Sequence, residues 1–351
     1  MRDTSPSVAA GATERTVRPE FTGSAREYFR IWIVNLFFTL VTLGIYSAWA
    51  KVRKKRYFYG STRLDGDTFD YFASPKTILK GRIVAAGLFV IYALSTELWP
   101  LSTYGFWGAF AIVLPWLVVR ALAFNARNSG YRGIRFDFSA TAWQAARIYI
   151  FMPLVVLVSL GFAYPWLAAR QREFVVSHHW FGIDGFECKV SVGRFFGIYL
   201  LAGLMMLGVM VPAFGIIVGA SFLRDWPESL DWLKFALPTG LMYLGYAAVY
   251  AYAQANTANA MWAGVRGPGV RFSCTLRAGK LARLYIQNIV AVVLSAGLLI
   301  PWAIVRTLQY RLENFAMLVE QERVHDASPD LDRVGATGQE LGDIFNLDLG
   351  L

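Results

Sequence analysis

Residues 30–53 read RIWIVNLFFTLVTLGIYSAWAKVR, and the same arrangement occurs at residues 147–170 and 283–306. Each stretch follows the pattern R-x13-G-x4-W-x3-R, and we term it a template segment. After its first arginine, each template contains an uncharged run, at residues 31–50, 148–169 and 284–305. Because a helix rises about 1.5 Å per residue, roughly twenty apolar residues match the hydrocarbon core of a bilayer. The templates therefore predict three membrane-embedded segments.

The shared glycine, tryptophan and final arginine of each template have predicted structural roles. Glycine adopts conformations that side chains resist, which predicts a turn or kink at Gly44, Gly161 and Gly297. Tryptophan and basic residues concentrate at membrane–water interfaces, where they anchor helix ends. The arginines are also candidates for binding lipid phosphates. The predicted interface or lipid-binding residues are Trp49, Arg53, Trp166, Arg170, Trp302 and Arg306.

The composition is that of an integral membrane protein. Of the 351 residues, 56% are hydrophobic and 17% are charged, whereas about a quarter of the residues in a soluble domain are charged. Further apolar runs occupy residues 83–119, with the single charge Glu97, and residues 195–223 and 235–265. Such runs are too long and too numerous for buried core helices. Residues 1–20 contain no apolar core, so we expect no cleavable signal peptide.

Short strands are predicted between the helical segments. Aromatic residues flank Asp65-Gly66 and Asp184-Gly185, which predicts hairpins within residues 57–72 and 174–188. Residues 133–138 and the similar residues 269–272 read as strands. The predicted fold is an all-α polytopic membrane protein with internal repeats and small cytoplasmic β-rich elements between its helices.

A regular spacing indicates duplication of the chain. Gly133, Arg147 and Gly161 each have a counterpart of the same type 136 residues later. Such internal repeats are common in transporters, although large membrane proteins without transport activity contain them as well. The predicted parts are a disordered tail (1–20), two membrane repeats (21–135 and 136–271), a partial third repeat (272–315) and an acidic cytoplasmic tail (316–351).

The distribution of basic residues favours one topology of two. If each template crosses the membrane once, seven spans result and lysine and arginine divide 20 to 14 between the two sides. If each template turns back near its glycine, only Arg224 and Lys234 of the 34 basic residues lie on the far side. The positive-inside rule favours the second arrangement. It predicts four full spans, three re-entrant segments and a bacterial inner-membrane protein with cytoplasmic basic loops and C-terminal tail.

Amide side chains within the apolar runs are candidates for a solute path. Polar groups in hydrocarbon need partners or water. The alternative is hydrogen bonding between helices, which contributes about 0.6 kcal/mol on average. The candidates are Asn35, Gln254, Asn256, Asn259 and Asn288.

No pattern of residues indicates catalysis, a cofactor or a metal. The chain contains no nucleophile elbow, phosphate-binding loop, zinc-protease motif or Cys-x-x-Cys pair, so we do not expect an enzyme. Adjacent His178 and His179 would point to opposite faces of a strand, which argues against a shared ion. The net charge of +10 arises beside membrane segments. It favours anionic lipid head groups over nucleic acid as partners, and it leaves protein partners and oligomeric state open.

Three stretches resemble one family. They are the Phe-x-Gly-Ser motif at Phe21, the sequence TLGIYSAW at residues 42–49 followed by a basic run, and GQELGDIFNLD at residues 338–348. Together they resemble the YjgN-like bacterial inner-membrane family, also termed domain of unknown function 898. The resemblance covers residues 21–351. It implies the fold and the location, and it implies no activity or substrate.

Two functions are compatible with these observations. The first is a multi-pass inner-membrane protein that passes or binds a small solute between its repeats. The second is a non-transporting scaffold or lipid-binding partner of envelope machinery. A continuous polar cavity that reaches Asn35 and Asn288 would favour the first function. A dry, tightly packed bundle would favour the second.

Overall fold

The computed structural model of the protein describes residues 14–222 and 228–320. Helices dominate this part of the chain. A π-helical turn, Arg147–Phe151, connects the fifth and sixth helices, and a 3-10 turn, Glu228–Leu230, precedes the ninth. The helices are α1 (Ala25–Val41), α2 (Ser47–Gly60), α3 (Pro75–Leu98), α4 (Ser102–Arg127), α5 (Ala142–Ala146), α6 (Met152–Val158), α7 (Tyr164–Ser177), α8 (Val192–Phe222), α9 (Leu233–Trp262), α10 (Ala278–Leu294) and α11 (Ile300–Glu313).

The strands between these helices form two antiparallel sheets. They are β1 (Glu14–Val17), β2 (Glu20–Phe21), β3 (Thr62–Leu64), β4 (Asp67–Tyr71), β5 (Ser129–Tyr131), β6 (Ile134–Phe138), β7 (His179–Phe181), β8 (Asp184–Gly185), β9 (Glu187–Cys188), β10 (Val265–Gly267), β11 (Val270–Cys274) and β12 (Phe315–Glu320). One sheet has the order β2-β3-β4-β5-β6-β7-β8, and the other has the order β1-β12-β11-β10-β9.

The two sheets are linked into a closed circuit of strands. Strand β1 leads into β2 across residues 18–19, and β8 leads into β9 across Phe186. Because neighbouring strands are antiparallel, the links between them alternate between the two ends of the strands. All helical hairpins therefore leave from one end of the strands, whereas the two-residue turns at 65–66, 132–133, 182–183 and 268–269 lie at the other end. This topology returns both ends of every template to the same end of the strands.

Alternating burial explains why these segments form strands. In β11, Val270, Phe272 and Cys274 are buried, while Arg271 between them is exposed. Strand β12 likewise buries Phe315 and every second residue after it. Residues with a period of two cover one face of a sheet. The inward side chains of both sheets join one hydrophobic core, so the strand circuit is filled by its own side chains.

Each template folds into a short helical hairpin that turns at its glycine. The φ angles of Gly44, Gly161 and Gly297 are +91°, +90° and +90°. The amide of each glycine donates to the carbonyl oxygen five residues earlier, at N···O distances of 2.7, 2.8 and 2.8 Å. This left-handed residue and its hydrogen bond are features of a helix end that reverses the chain. The second template also contains the π-helical turn, directly before Met152 and Pro153, where proline lacks the backbone donor of a regular helix.

Three helices are long and apolar enough to cross a membrane, within the residues described. They are α3, α4 and residues 192–220 of α8. Helix α9 has 30 residues, but tyrosine and amide side chains interrupt its apolar sequence. Hairpin tips also expose apolar side chains, since Leu43 is 94% exposed and Leu160 is 89% exposed. Such surfaces are typical of contact with hydrocarbon rather than water.

The structure corrects several details of the sequence prediction. The β part is not a set of small elements, because it forms two sheets of five and seven strands. Residues 14–17 of the predicted disordered tail form β1, which pairs with β12, and the tail predicted from residue 316 begins inside β12. The hairpin within residues 174–188 turns at residues 182–183, not at Asp184-Gly185, because Gly182 has a positive φ and Asp184 pairs with Phe181.

Candidate functional site

A small polar cavity lies where α7, α9 and α11 meet the loop that precedes α10. Its volume is about 20 Å³, which is room for about one water molecule. The polar lining comes from three helices, because α7 contributes Arg172, α9 contributes Gln254 and Thr257, and α11 contributes Arg311. The apolar wall consists of Ala258, Met261, Trp262, Leu276 and Leu281.

Arg172 is held in place from three directions. Its Nη2 donates to Thr257 Oγ1 at 3.3 Å, and its Nη1 donates to the carbonyl oxygen of Ala168 at 3.3 Å. The guanidinium carbon also lies 5.3 Å from the ring centroid of Phe195, a cation–π distance. Arg172 therefore joins α7 to α9 and presents its charge at the cavity.

Arg311 is a buried cation on the opposite wall. Its residue is 7% exposed, and its Nη2 donates to the Tyr285 hydroxyl at 2.7 Å. The positive charge of Arg311 also affects the pKa of Cys274 on strand β11. Burial raises the pKa of the Cys274 thiol to about 11, while the positive charge of Arg311 acts in the opposite direction. Arg311 thus places an enclosed positive charge at the wall of the cavity.

The charge of the cavity lining is wholly positive in the part of the chain that the structure describes. Two guanidinium groups line the cavity and no carboxylate does so. The Gln254 side-chain amide makes no hydrogen bond with another described residue, so it can donate to a bound group. Arginine combined with an amide donor is a favourable environment for a carboxylate, a phosphate or a halide.

The other amides predicted from α9 do not line this cavity. Asn256 donates to the carbonyl oxygen of Tyr252, one turn earlier, at 2.9 Å. Asn259 bonds Leu276 twice, because its Nδ2 donates to the carbonyl oxygen and its Oδ1 accepts from the amide, both at 2.9 Å. Asn259 thus fixes the loop between β11 and α10. Of the three predicted α9 residues, only Gln254 lies at the site.

Asn35 and Asn288 lie in equivalent positions of two template hairpins. Each is 7% exposed, and the Oδ1 atom of each has no hydrogen-bond partner among the described residues. Asn288 Nδ2 donates across to α11, to Thr307 Oγ1 at 3.0 Å and to the carbonyl oxygen of Ala303 at 3.2 Å. Thr307 precedes Arg311 by one helical turn, so this amide pair lies one turn along α11 from the cavity.

The interface residues predicted from the templates are half-buried or exposed, and their arginines have partners within the chain. Arg53 donates to the Tyr46 hydroxyl at 3.1 Å, and Arg170 bonds Glu173 at 2.6 Å. Arg306 donates to Gln287 Oε1 at 2.6 Å and lies 5.0 Å from the Trp302 ring centroid. Each of these arginines is the seventh residue of a helix of 14 residues, so the predicted position at a helix end is wrong. Their anchoring role stays a prediction. Trp49 and Trp166 are half-buried on the returning arms.

Sequence reasoning missed two sets of residues. Arg172 and Arg311 were not candidates, because Arg172 meets Thr257 across 85 residues and no local spacing reports that contact. The second set has a visible signal, a hydroxyl residue two positions before each template glycine. The hydroxyl oxygens accept the amides of Tyr46, Ala163 and Leu299 at 2.9, 3.0 and 3.0 Å and so cap the returning arms. The residues are Thr42, Ser159 and Ser295.

The histidines and cysteines do not form a site among the described residues. The Nδ1 atoms of His178 and His179 lie 2.8 and 2.7 Å from carbonyl oxygens of α7, namely those of Phe174 and Val175. Cys188 and Cys274 are buried in β9 and β11 and are not joined by a disulfide. No group of three or more potential metal ligands occurs in the described part of the chain.

Comparison with known proteins agrees with the membrane architecture. A family model described as "Bacterial protein of unknown function (DUF898)" matches residues 16–344. The protein named "Inner membrane protein YjgN" of Salmonella typhimurium is 29% identical over 144 residues, which cover 40% of this chain and 36% of that protein. Its namesake in Escherichia coli K12 is 26% identical over 148 residues, with the same coverage.

The aligned stretch thus spans about a third of the length of these curated relatives, which are inner-membrane proteins by name. No solved structure matches the chain. The family model covers nearly the whole chain, including all three templates and every strand except the first two residues of β1. The chain therefore belongs to the DUF898 family of bacterial proteins of unknown function.

Proposed function

We propose that this protein binds a small anionic solute in the cavity between α7, α9 and α11. One observation supports this most directly, namely that Arg172 and Arg311 line a single cavity without a carboxylate among its described lining residues. The volume suits a monatomic anion or one oxygen of a larger carboxylate or phosphate. Binding, rather than catalysis, is the proposed activity, because the described lining residues include no carboxylate, histidine or cysteine that could act as a general base or activate a nucleophile.

The position of the cavity suits binding between repeats. We infer that the three template hairpins are internal repeats, because they share their turn geometry as well as their sequence pattern. Arg172 lies two residues beyond the second template and Arg311 five residues beyond the third, each on the helix that contains the final arginine of that template. The solute would therefore be enclosed by two repeats together with α9, and relative movement of the repeats would open or close the site.

We infer a multi-pass topology in which the strand circuit, the basic loops and the C-terminal tail are cytoplasmic. Both ends of each template return to the same end of the strands, as this topology requires. The template arms are short, since α2, with 14 residues, is about 21 Å long. That length is below the roughly 30 Å of a hydrocarbon core. Basic residues at the helix ends suit anionic lipid head groups.

The proposal is tested with the purified full-length chain in detergent. Thermal melts are compared in sodium chloride, sodium phosphate and the sodium salt of a bulky sulfonate buffer, MES, at equal ionic strength. A ligand at 100 times its Kd stabilises the folded state by about 2.7 kcal/mol. We expect chloride or phosphate to raise the Tm by a few degrees above the sulfonate, and Arg311→Gln to abolish that difference.

Arg306→Gln is the matched control, because Arg306 lies on the same helix and outside the cavity. It should retain the anion-dependent rise in Tm. Gln254→Leu provides a second test if Arg311→Gln does not fold, and it should reduce the rise without removing a charge. An identical anion response in wild type, Arg311→Gln and Gln254→Leu would contradict anion binding at this cavity.

One observation favours the alternative function, a scaffold or lipid-binding partner. Helix α3 has no buried residue in its apolar stretch, and residues 80–91 are all exposed, so most of its surface is available to lipid or to another membrane protein. Mass spectrometry of material that co-purifies with the native protein separates the two proposals. Stoichiometric lipid without an anion-dependent Tm would favour the alternative.

A further inference from the structure

We propose that residues 340–348 of the chain's own C-terminal tail bind a cleft beside strand β1, at the end of the strands that lies opposite the helical hairpins. The cleft has a volume of about 320 Å³. It runs between residues 15–18 of the first strand and residues 63–66 of the β3–β4 hairpin. This cleft is separate from the cavity of the proposed anion site and does not depend on it.

The cleft offers two exposed guanidinium groups, those of Arg18 and Arg63. Two other arginines nearby are already paired, because Arg15 forms an ion pair with Asp65 and Arg132 approaches the same carboxylate at 3.5 Å. Neither Arg18 nor Arg63 makes a hydrogen bond or an ion pair with another described residue. The acidic residues of the lining are Asp65 and Glu20, and Glu20 lies opposite Arg63 in the register of β2 and β3. Three arginines against two carboxylates leave the lining with a net positive charge, so it suits an acidic ligand.

The backbone of β1 adds a second binding element. β1 is the last strand of its sheet and pairs with β12 on one side only. Its other edge has no strand partner among the described residues, and this edge borders the cleft. A free edge presents unpaired amide and carbonyl groups to which an extended peptide can add as a new strand. An extended acidic segment satisfies both the edge and the arginines.

The C-terminal tail supplies such a segment. Residues 321–351 lie outside the described residues, and their sequence contains seven acidic residues and two arginines. Glu340, Asp343 and Asp348 flank Ile344 and Phe345, which favour strands. The tail also starts at the right place, because Glu320 pairs with Glu14, next to Arg15. The residues between 320 and 340 can span about 60 Å when extended, which is ample to reach the cleft.

Disulfide trapping in the full-length chain tests the proposal. In a background with Cys188→Ala and Cys274→Ala, Thr16→Cys in the cleft is combined with Asn346→Cys in the tail. The control combines Asn346→Cys with Glu187→Cys, an exposed position on β9, four strands from β1 in the same sheet. We expect the disulfide to form at least tenfold faster with position 16 than with position 187.

Charge reversal provides the second comparison. Arg18→Glu with Arg63→Glu should lower the rate at position 16 to that of the control. Asp343→Lys with Asp348→Lys should do the same without altering any described residue, so the test remains decisive if the arginine variant is unstable. Equal rates at positions 16 and 187, or a rate that neither pair of reversals lowers, would overturn the proposal.

Discussion

Each template glycine holds a backbone conformation that other residues adopt at a cost. At Gly44, φ is +91° and an added Cβ would meet no atom within 4 Å. A substitution there is therefore penalised by conformation and not by crowding. We expect Gly44→Ala to lower the free energy of unfolding by about 1–2 kcal/mol, the cost of a left-handed conformation for a residue with a Cβ. Thermal or denaturant unfolding in detergent measures the change.

Gly87→Ala is the matched control for this prediction. Gly87 also has open space around its Cβ position, but it lies within α3 and has no positive φ. Alanine favours a helix over glycine by about 1 kcal/mol, so this variant should be neutral or more stable. Gly44→Asn should lose less stability than Gly44→Ala, because asparagine tolerates the left-handed region. Equal losses for Gly44→Ala and Gly87→Ala would show that the turn makes no special demand.

The sequence could identify the turning residues because a left-handed turn leaves a local mark. Glycine recurs at the reversal of each template, and its spacing from the flanking arginines and tryptophan is constant. The hydroxyl residues two positions before each glycine are equally local, but one template has threonine and the other two have serine, so a comparison of identical residues does not detect them. Their shared function emerges only from the hydrogen bonds of Thr42, Ser159 and Ser295.

Among the elements, helix α3 differs from its neighbours because none of its residues is buried, although its C-terminal part packs against α4. Phe89 is 67% exposed and lies near the middle of the helix. If α3 spans the bilayer, Phe89→Arg places a charge near its centre, at a cost of about 2.5–3.5 kcal/mol on insertion scales. We expect this variant to show a several-fold loss of membrane-inserted protein, measured by carbonate extraction of membranes.

Phe89→Leu controls for the loss of the aromatic ring, since leucine is equally compatible with hydrocarbon. It should insert as wild type does. Phe110→Arg, on the paired helix α4 and 47% exposed, should behave like Phe89→Arg. Normal insertion of both arginine variants would mean that the helical hairpin α3–α4 lies outside the hydrocarbon core.

The hairpin strands show which elements a sequence reports and which it does not. Asp65-Gly66 was correctly predicted as a turn, because both residues take positive φ in the hairpin between β3 and β4. Asp184-Gly185 has the same two letters but is part of β8, since Gly182 already supplies the turn. Whether two or three residues form a strand depends on the neighbouring strands with which they pair and not on their own sequence. The short strands β5 and β10 were therefore not predicted from the sequence.

At the scale of the whole molecule, the closed circuit depends on contacts that no local pattern records. Strands β1 and β12 pair although about 300 residues separate them. The cavity likewise depends on Arg172 and Arg311, which come together only when the second and third template hairpins pack around α9. The repeats were visible because they preserve letters at fixed spacing, whereas closure and the cavity depend on how the hairpins are arranged around the strands.

The circuit makes a sharp prediction about membrane topology. Arg135 on β6 and Glu187 on β9 are exposed and lie on different sheets, whereas Leu101, at the tip of the α3–α4 hairpin, is 79% exposed. In a background without Cys188 and Cys274, we expect single cysteines at 135 and 187 to be protected from an impermeant thiol reagent in intact cells. A cysteine at 101 should be labelled.

Permeabilised cells provide the control, because all three positions should then react. The seven-span alternative gives a different pattern, since the second template would cross the membrane between positions 135 and 187. Labelling of position 187 with protection of position 135 would therefore separate the two sheets across the membrane. The circuit through β6, β7, β8 and β9 could not form in that arrangement, so this single comparison tests the fold and the topology together.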